Sequence, residues 1–332
     1  MARYYRTDTA EYRPVSNEIT GYAASAFLHL YRLTGRGECL DAALRAGRYL
    51  TRTAWNPVLA TMPFECRGQG ERAYFFDLGI VARALLALWR ATREEEFLAA
   101  AAACAKCMAV DFRGPSGYIP VLALPEKRPV PGDGGWSQHP GCYQLKAALA
   151  FHELAGAGLG SEYQVLYEEI AESLLPTHAD FLASEPDRQR RMDRLHAYCY
   201  FLEGLLARLG GPGRVAALGE GIERVGRLLR EIRPVFERSD VWAQLLRLRL
   251  YAAALGAVPL DEARAEEEAA AIPGFQSLDS DRRAGGAFSF GRKGGALMPF
   301  ANPVSTAFAL QALTLWEEHR AGRFRAEVQA LI

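Results

Sequence analysis

One helical hairpin occurs twice in this chain, 58 positions apart and without a gap, and that internal copy limits what the chain can become. The later copy, at 74–108, reads YFFDLGIVARALLALWRATREEEFLAAAAACAKCM. Its first half is apolar almost all round, the pattern of a helix covered on several sides. A polar break follows, in which Thr92 suits an N-cap and Glu94, Glu95 and Glu96 favour the positive end of the next helix. The second half is alanine-rich, with Phe97, Leu98, Ala101, Ala105 and Met108 on one face. The unit is therefore an inner helix followed by an outer one. Under the offset, Gly79 falls on Gly21, Leu88 on Leu30, Trp89 on Tyr31, Arg90 on Arg32, Thr92 on Thr34 and Glu96 on Glu38. A hairpin that copies another belongs to a repeat architecture, in which no unit buries its apolar face alone.

Six such hairpins can be counted along the chain. The first spans 16–53 and turns at 34–37; the second is the unit above. The third pairs 141–155 with 162–183, the fourth 187–209 with 214–232, the fifth 240–255 with 260–271, and the sixth 303–320 with 323–332. Six inner and six outer helices imply an all-α chain closed into an (α/α)6 barrel, a toroid formed by one domain over 1–332. An open solenoid is the competing architecture, and it favours shorter, more uniform connections. Here the connections at 55–73, 111–137 and 273–299 are long and rich in proline and glycine, including Pro57, Pro63, Gly68 and Gly70. A short strand is expected at 118–124. All three long connections precede inner helices, which gathers them at one mouth, where sites usually form.

Composition removes several function classes. Lys plus Arg and Asp plus Glu both total 39 in 332 residues, so no net field draws the chain to nucleic acid or an anionic membrane. The first residues lack the apolar run of a signal peptide, and no apolar stretch reaches the ~18 residues of a membrane span. With irregularly spaced cysteines, a cytoplasmic location with reduced thiols is expected. Cys104-x-x-Cys107 has no second pair to complete a zinc site, and metal loops and phosphate-cradling glycine loops are absent from the sequence. No metal or cofactor is called for.

The residues able to do chemistry cluster at inner-helix N-termini. Glu18 aligns with Phe76 and Asp77 with Ile19, so two carboxylates stand one position apart at equivalent helix ends. Such a pair supplies the acid and the nucleophile or base of glycoside hydrolysis; the same placement also suits simple helix capping. His196, in RLHAYCYFLEGLL, has Tyr200 one turn on along the same face. Its imidazole can act as acid or base, or fill a core. His139 lies just before an inner helix with Trp136 and Tyr143 nearby, a grouping that suits a sugar ring as well as a core. Asp240, Trp242 and Gln244 open the fifth inner helix, while Arg292, Lys293 and Asn302 lead into the sixth. The basic pair fits a carboxylate or phosphate, or plain solvent.

The motifs Glu18-Ile19-Thr20-Gly21-Tyr22, Phe76-Asp77-x-Gly79, His196-x-x-x-Tyr200-x-x-x-Gly204 and Gly294-Gly295-x-x-Met298-Pro299 resemble those of bacterial six-hairpin glycosidase-like (α/α)6-barrel proteins. The similar subset is associated with polysaccharide biosynthesis. In that subset Thr and Gln flank the glycine of the Phe-Asp motif, whereas Leu78 and Ile80 stand here. The resemblance implies the toroid shared with glycosidases, unsaturated glucuronyl hydrolases and sugar 2-epimerases, and it adds Tyr22 to the substrate-binding candidates. Two classes of function stay open. One is a carbohydrate-active enzyme working on an oligosaccharide or uronic-acid-containing glycan by acid/base chemistry. Within it, Glu18 and Asp77 would serve hydrolysis, and His196 with a tyrosine would serve epimerisation or elimination. The other is a glycan-binding or scaffolding protein without turnover. A terpene-cyclase-like toroid would need an Asp-rich motif, which the sequence lacks.

Overall fold

The computed structural model describes residues 1–65, 71–132 and 135–332, and for Pro212 the backbone alone. Gly68 and Gly70 of the first long connection lie outside the described residues, as do Asp133 and Gly134 of the second. The chain divides into two compact units, one of residues 1–2 and 14–176, the other of 3–13 and 177–332.

The first unit is built from three hairpins: α1 (Asn17–Thr34) with α2 (Gly37–Tyr49), α3 (Phe75–Thr92) with α4 (Glu95–Val110), and α5 (Gln144–Gly156) with α6 (Ser161–Leu174). The 58-residue copy survives to the level of single backbone torsions. Both inner helices of the copied pair start and stop in step, and both end on a left-handed residue. Gly35 has φ 67 and donates its N–H to the Tyr31 carbonyl, while Arg93 has φ 60 and donates to that of Trp89. Glycine enters that region freely, whereas a side chain there costs about 1–2 kcal/mol. Arg93 offsets part of this by laying its guanidinium over the Trp89 ring at 5.0 Å. Thr92, expected to cap α4, is instead the last residue of α3. Its hydroxyl donates to the Leu88 carbonyl and accepts from the Glu94 N–H, and Glu94 occupies the cap position.

α1, α3 and α5 form the inner row, and α3 is buried continuously from Phe75 to Leu88. The α3–α5 contact is backbone-close: a Cβ at Gly79 would lie 2.5 Å from the Ala147 Cα. Across the same contact Glu153 accepts from Arg83 at 2.6 Å and from Arg90 at 2.8 Å. Above the helix starts, the strand Arg72–Tyr74 pairs with Val121–Ala123, which pairs in turn with Arg128–Pro129. The expected 118–124 strand is thus shorter, and the two long connections of this unit meet at the N-terminal end of α3, where Phe75 donates to the Pro120 carbonyl. The third outer helix also ends earlier than expected. α6 stops at Leu174: Leu175 keeps helical torsions and donates to the Ala171 carbonyl, but Pro176 has no N–H to carry the ladder further.

The second unit holds the short α7 (Asp180–Ala183), then α8 (Arg188–Leu205), α9 (Pro212–Ile232), α10 (Ser239–Ala254), α11 (Glu262–Ala271) and α12 (Pro303–Arg320). α10 packs between α8 and α12 and is buried from Ser239 to Ala252. The third long connection closes over its start: strand Phe236–Arg238 pairs with Gly291–Lys293, and the Ser239 hydroxyl donates to the Ser289 carbonyl at 2.6 Å. The expected sixth outer helix does not form. Residues 323–332 run as a strap with one 3-10 turn at Val328–Ala330. Side chains replace the missing helical ladder: Gln311 accepts from the Ile332 N–H and donates to the Ala330 carbonyl, and Tyr251 donates to that of Glu327. Among the described residues no helix is long and apolar enough to cross a membrane.

Candidate functional site

α8 and α10 lie side by side in the second unit, and that pairing brings His196 to Asp240 and Gln244. Asp240 and Gln244 are four residues apart on α10, hence on one face. His196 Nδ1 is 2.8 Å from Gln244 Oε1 and 3.5 Å from Asp240 Oδ2. Tyr200 meets the imidazole edge-on at a centroid distance of 4.5 Å, and Phe308 of α12 lies at 6.3 Å. Asp240 is clamped from the strand before its helix: Arg238 Nε donates to Oδ1 at 2.9 Å and Nη2 to Oδ2 at 2.6 Å. The third nitrogen of that guanidinium reaches Asp193 at 2.9 Å, and its flat face lies 4.3 Å from the Phe290 ring.

Burial sets the protonation states. His196 is 6 % exposed, and loss of solvation pushes its pKa down to about 4, with Asp240 pulling the other way. The ring is therefore neutral at pH 7. Burial also works to raise the Asp240 carboxyl, but the charge of Arg238 and the hydrogen bonds from Arg238 and the Val241 N–H outweigh this and hold it below its usual value. Deeper in the same helices, Glu203 and Arg247 form an ion pair of 2.6 Å with both side chains fully buried.

The other candidates of this unit point elsewhere. Trp242, two positions from Asp240, is on the opposite face of α10. It donates to Glu237 at 3.1 Å and lies under Arg230 and Arg233 of the α9 end. Arg292 joins that group, donating to Glu237 and to the Gly274 carbonyl. Asn302 is the N-cap of α12, accepting from the Val304 and Ser305 N–H groups.

In the first unit, Asp77 is 7 % exposed in the opening turn of α3, and Glu18 occupies the same turn of α1. Asp77 and Tyr143 are close enough that the carboxylate helps raise the Tyr143 phenol, whose main cause of elevation is burial. That phenol donates to the carbonyls of Ser137 and His139, and Trp136 stands edge-on to the ring at 4.9 Å. The His139 side chain is exposed, and Tyr22 is buried in α1. Cys104 and Cys107 are core thiols; burial pushes Cys107 up to about 12. Among the described residues no group of three His, Cys, Asp or Glu side chains could hold a metal ion.

Sequence reasoning missed Arg238 and the Glu203–Arg247 pair and gave Gln244 no role. Signals existed for two of these: Gln244 is one turn from Asp240, and charged residues interrupt locally apolar runs at 203 and 247.

No family model matches this chain, and no curated protein does. Solved structures do. A sugar epimerase from a ruminal bacterium is similar over 94% of this chain and 92% of its own, with TM-score 0.71 and 12% identity. A cellobiose 2-epimerase from Spirochaeta thermophila matches over 92% and 88%, with TM-score 0.66 and 13% identity. A D-mannose isomerase matches over 97% and 92%, with TM-score 0.68 and 11% identity. The fold of this chain is therefore the one those proteins share, the all-α, six-hairpin glycosidase-like (α/α)6 barrel.

Proposed function

We propose that this chain is a carbohydrate-active enzyme that moves a proton on a sugar, as an epimerase or isomerase does, with His196 as the base. The observation that carries the reading is a buried imidazole whose Nδ1 lies 2.8 Å from Gln244 Oε1 and 3.5 Å from the Asp240 carboxylate. A neutral ring can accept a proton, and Asp240 stabilises the cation that results. At a sugar carbon next to a carbonyl, the C–H bond breaks, its electron pair spreads onto the carbonyl oxygen and the proton passes to imidazole. Returning a proton to the opposite face gives the epimer; returning it to the neighbouring former carbonyl carbon, while the adjacent hydroxyl passes its proton to the former carbonyl oxygen and becomes the new carbonyl, gives the isomer. The sugar epimerase, cellobiose 2-epimerase and D-mannose isomerase that share this fold are named for this chemistry.

Hydrolysis by Glu18 and Asp77 is the second reading, favoured by their matching places in the first turns of α1 and α3. One experiment separates the two from binding without turnover. The protein is incubated in D2O with D-mannose, D-glucose, cellobiose and a panel of uronic-acid-containing oligosaccharides, and products are followed by NMR. Interconversion with deuterium entering the sugar carbon, lost by ~10²-fold or more in His196→Ala, supports proton transfer. Release of reducing ends without deuterium, abolished by Asp77→Asn, would establish hydrolysis instead. Saturable binding with neither product would leave a glycan-binding role.

A further inference from the structure

We propose that Gln244 is a positioning residue for His196, fixing the imidazole as the Nδ1–H tautomer and thereby assigning the proton-accepting role to Nε2. This rests on the proton-transfer reading and names the atom which that reading leaves open. Two oxygens meet the Nδ1 side of the ring, Gln244 Oε1 at 2.8 Å and Asp240 Oδ2 at 3.5 Å. The orientation of the Gln244 amide is decided at its other nitrogen. Nε2 of Gln244 lies 3.4 Å from the backbone carbonyl of His196 itself, and a carbonyl can only accept. The amide NH2 group faces that carbonyl, so the amide oxygen faces the ring. A bare Nδ1 would set its lone pair against two acceptors, one of them charged. Nδ1–H satisfies both, and a neutral imidazole has only one N–H, which leaves the lone pair on Nε2.

Asp240 does not take that N–H for itself. Its Oδ2 stands 3.5 Å from Nδ1 against 2.8 Å for the amide oxygen, and Arg238 holds the carboxylate there through bonds of 2.9 and 2.6 Å, with Asp193 on the remaining guanidinium nitrogen. The carboxylate thus contributes charge at 3.5 Å while Gln244 contributes the hydrogen bond. When Nε2 accepts the substrate proton, the second N–H of the imidazolium is already directed at Gln244 Oε1 and no side chain has to turn. That is preorganisation of the kind that lowers a barrier. The charged groups bearing on the ring are Asp240 and Arg238 from α10 and its preceding strand, and Glu203 from α8.

The test is long-range 1H–15N NMR of the histidine rings in the full-length protein at pH 7, with His196 assigned by its loss in His196→Gln. The expected wild-type pattern is a pyrrole-type Nδ1 and a pyridine-type Nε2. Gln244→Leu should mix or reverse the two nitrogens and lower kcat by at least about tenfold, with KM changed far less. Gln244→Glu keeps an acceptor at the same place; it should retain Nδ1–H and move the ring titration upward, and it also covers the case of a Leu variant that does not fold. An Nε2–H wild-type ring, or a Gln244→Leu spectrum identical to wild type, overturns the proposal. Should the wild-type protein turn over no sugar, the proton-transfer reading falls while the nitrogen spectrum still decides the tautomer.

Discussion

Replacing Arg247 by methionine should be among the most damaging single changes in the second unit. Arg247 and Glu203 are both fully buried, and the guanidinium donates to Glu203 at 2.6 Å, to Gln311 at 2.9 Å and to the Ile332 carbonyl at 3.2 Å. Its face also lies 4.0 Å from the Phe308 ring. Methionine fills much of the volume but leaves the Glu203 carboxylate in the interior without its counter-charge. Removing one partner of a buried pair costs about 3–5 kcal/mol. The lost ring contact contributes about 2 kcal/mol at most and is not additive with that figure. Replacing both charges with apolar residues of similar size removes the stranded ion, so Glu203→Leu with Arg247→Met should return to within about 1 kcal/mol of wild type. The measurement is a double-mutant cycle by urea titration. Fluorescence of Trp242 and Trp316 reports on the second unit, while Trp55, Trp89 and Trp136 belong to the first. A coupling energy of at least about 2 kcal/mol is expected. A single variant costing under about 1 kcal/mol, or a double variant as unstable as the single, would refute the assignment of the loss to an unpaired carboxylate.

Other expectations follow from the same geometry. Because the His196 pKa is depressed from 6.5 to about 4, the unfolded chain takes up this proton first as pH falls. Its stabilising contribution, roughly 3 kcal/mol, is fully present above pH 6.5 and lost between pH 6.5 and about 4; acid titration of His196→Phe should lack that component. Gly79→Ala should lower stability by at least about 1–3 kcal/mol because its Cβ meets the Ala147 backbone, whereas Gly37→Ala, with nothing within 4 Å, should be near neutral; thermal melts that coincide would contradict this. Asn302→Ala should cost about 1 kcal/mol through the lost cap while leaving sugar conversion unchanged, and a loss of kcat with stability intact would return Asn302 to the site.

The internal copy was the most legible part of the chain, because repeated apolar spacing fixes helix length and the inner or outer role together. That is why 17–34 and 75–92 could be placed almost to the residue. The strap at 323–332 was not legible: its backbone groups are satisfied by Gln311 and Tyr251, distant side chains that no local pattern announces. The same limit applies to the site. The spacing of His196 and Tyr200 is a property of one helix, but Arg238, Gln244 and the Glu203–Arg247 pair acquire meaning only when α8 and α10 are laid together. Trp242 shows the converse hazard, since an aromatic near an acidic residue in sequence can stand on the far side of the same helix.

The contact at Gly79 has a mechanical consequence. Where two helices are separated by side chains, rotamer changes let them slide; where backbone meets backbone, they cannot. α3 and α5 are keyed together at Gly79 and Ala147, one turn or less from Asp77 and Tyr143. The spacing of those two groups is thus machined into the frame, without the play that side-chain packing allows. Changes in side-chain packing elsewhere in the unit should therefore leave the spacing of Asp77 and Tyr143 unchanged.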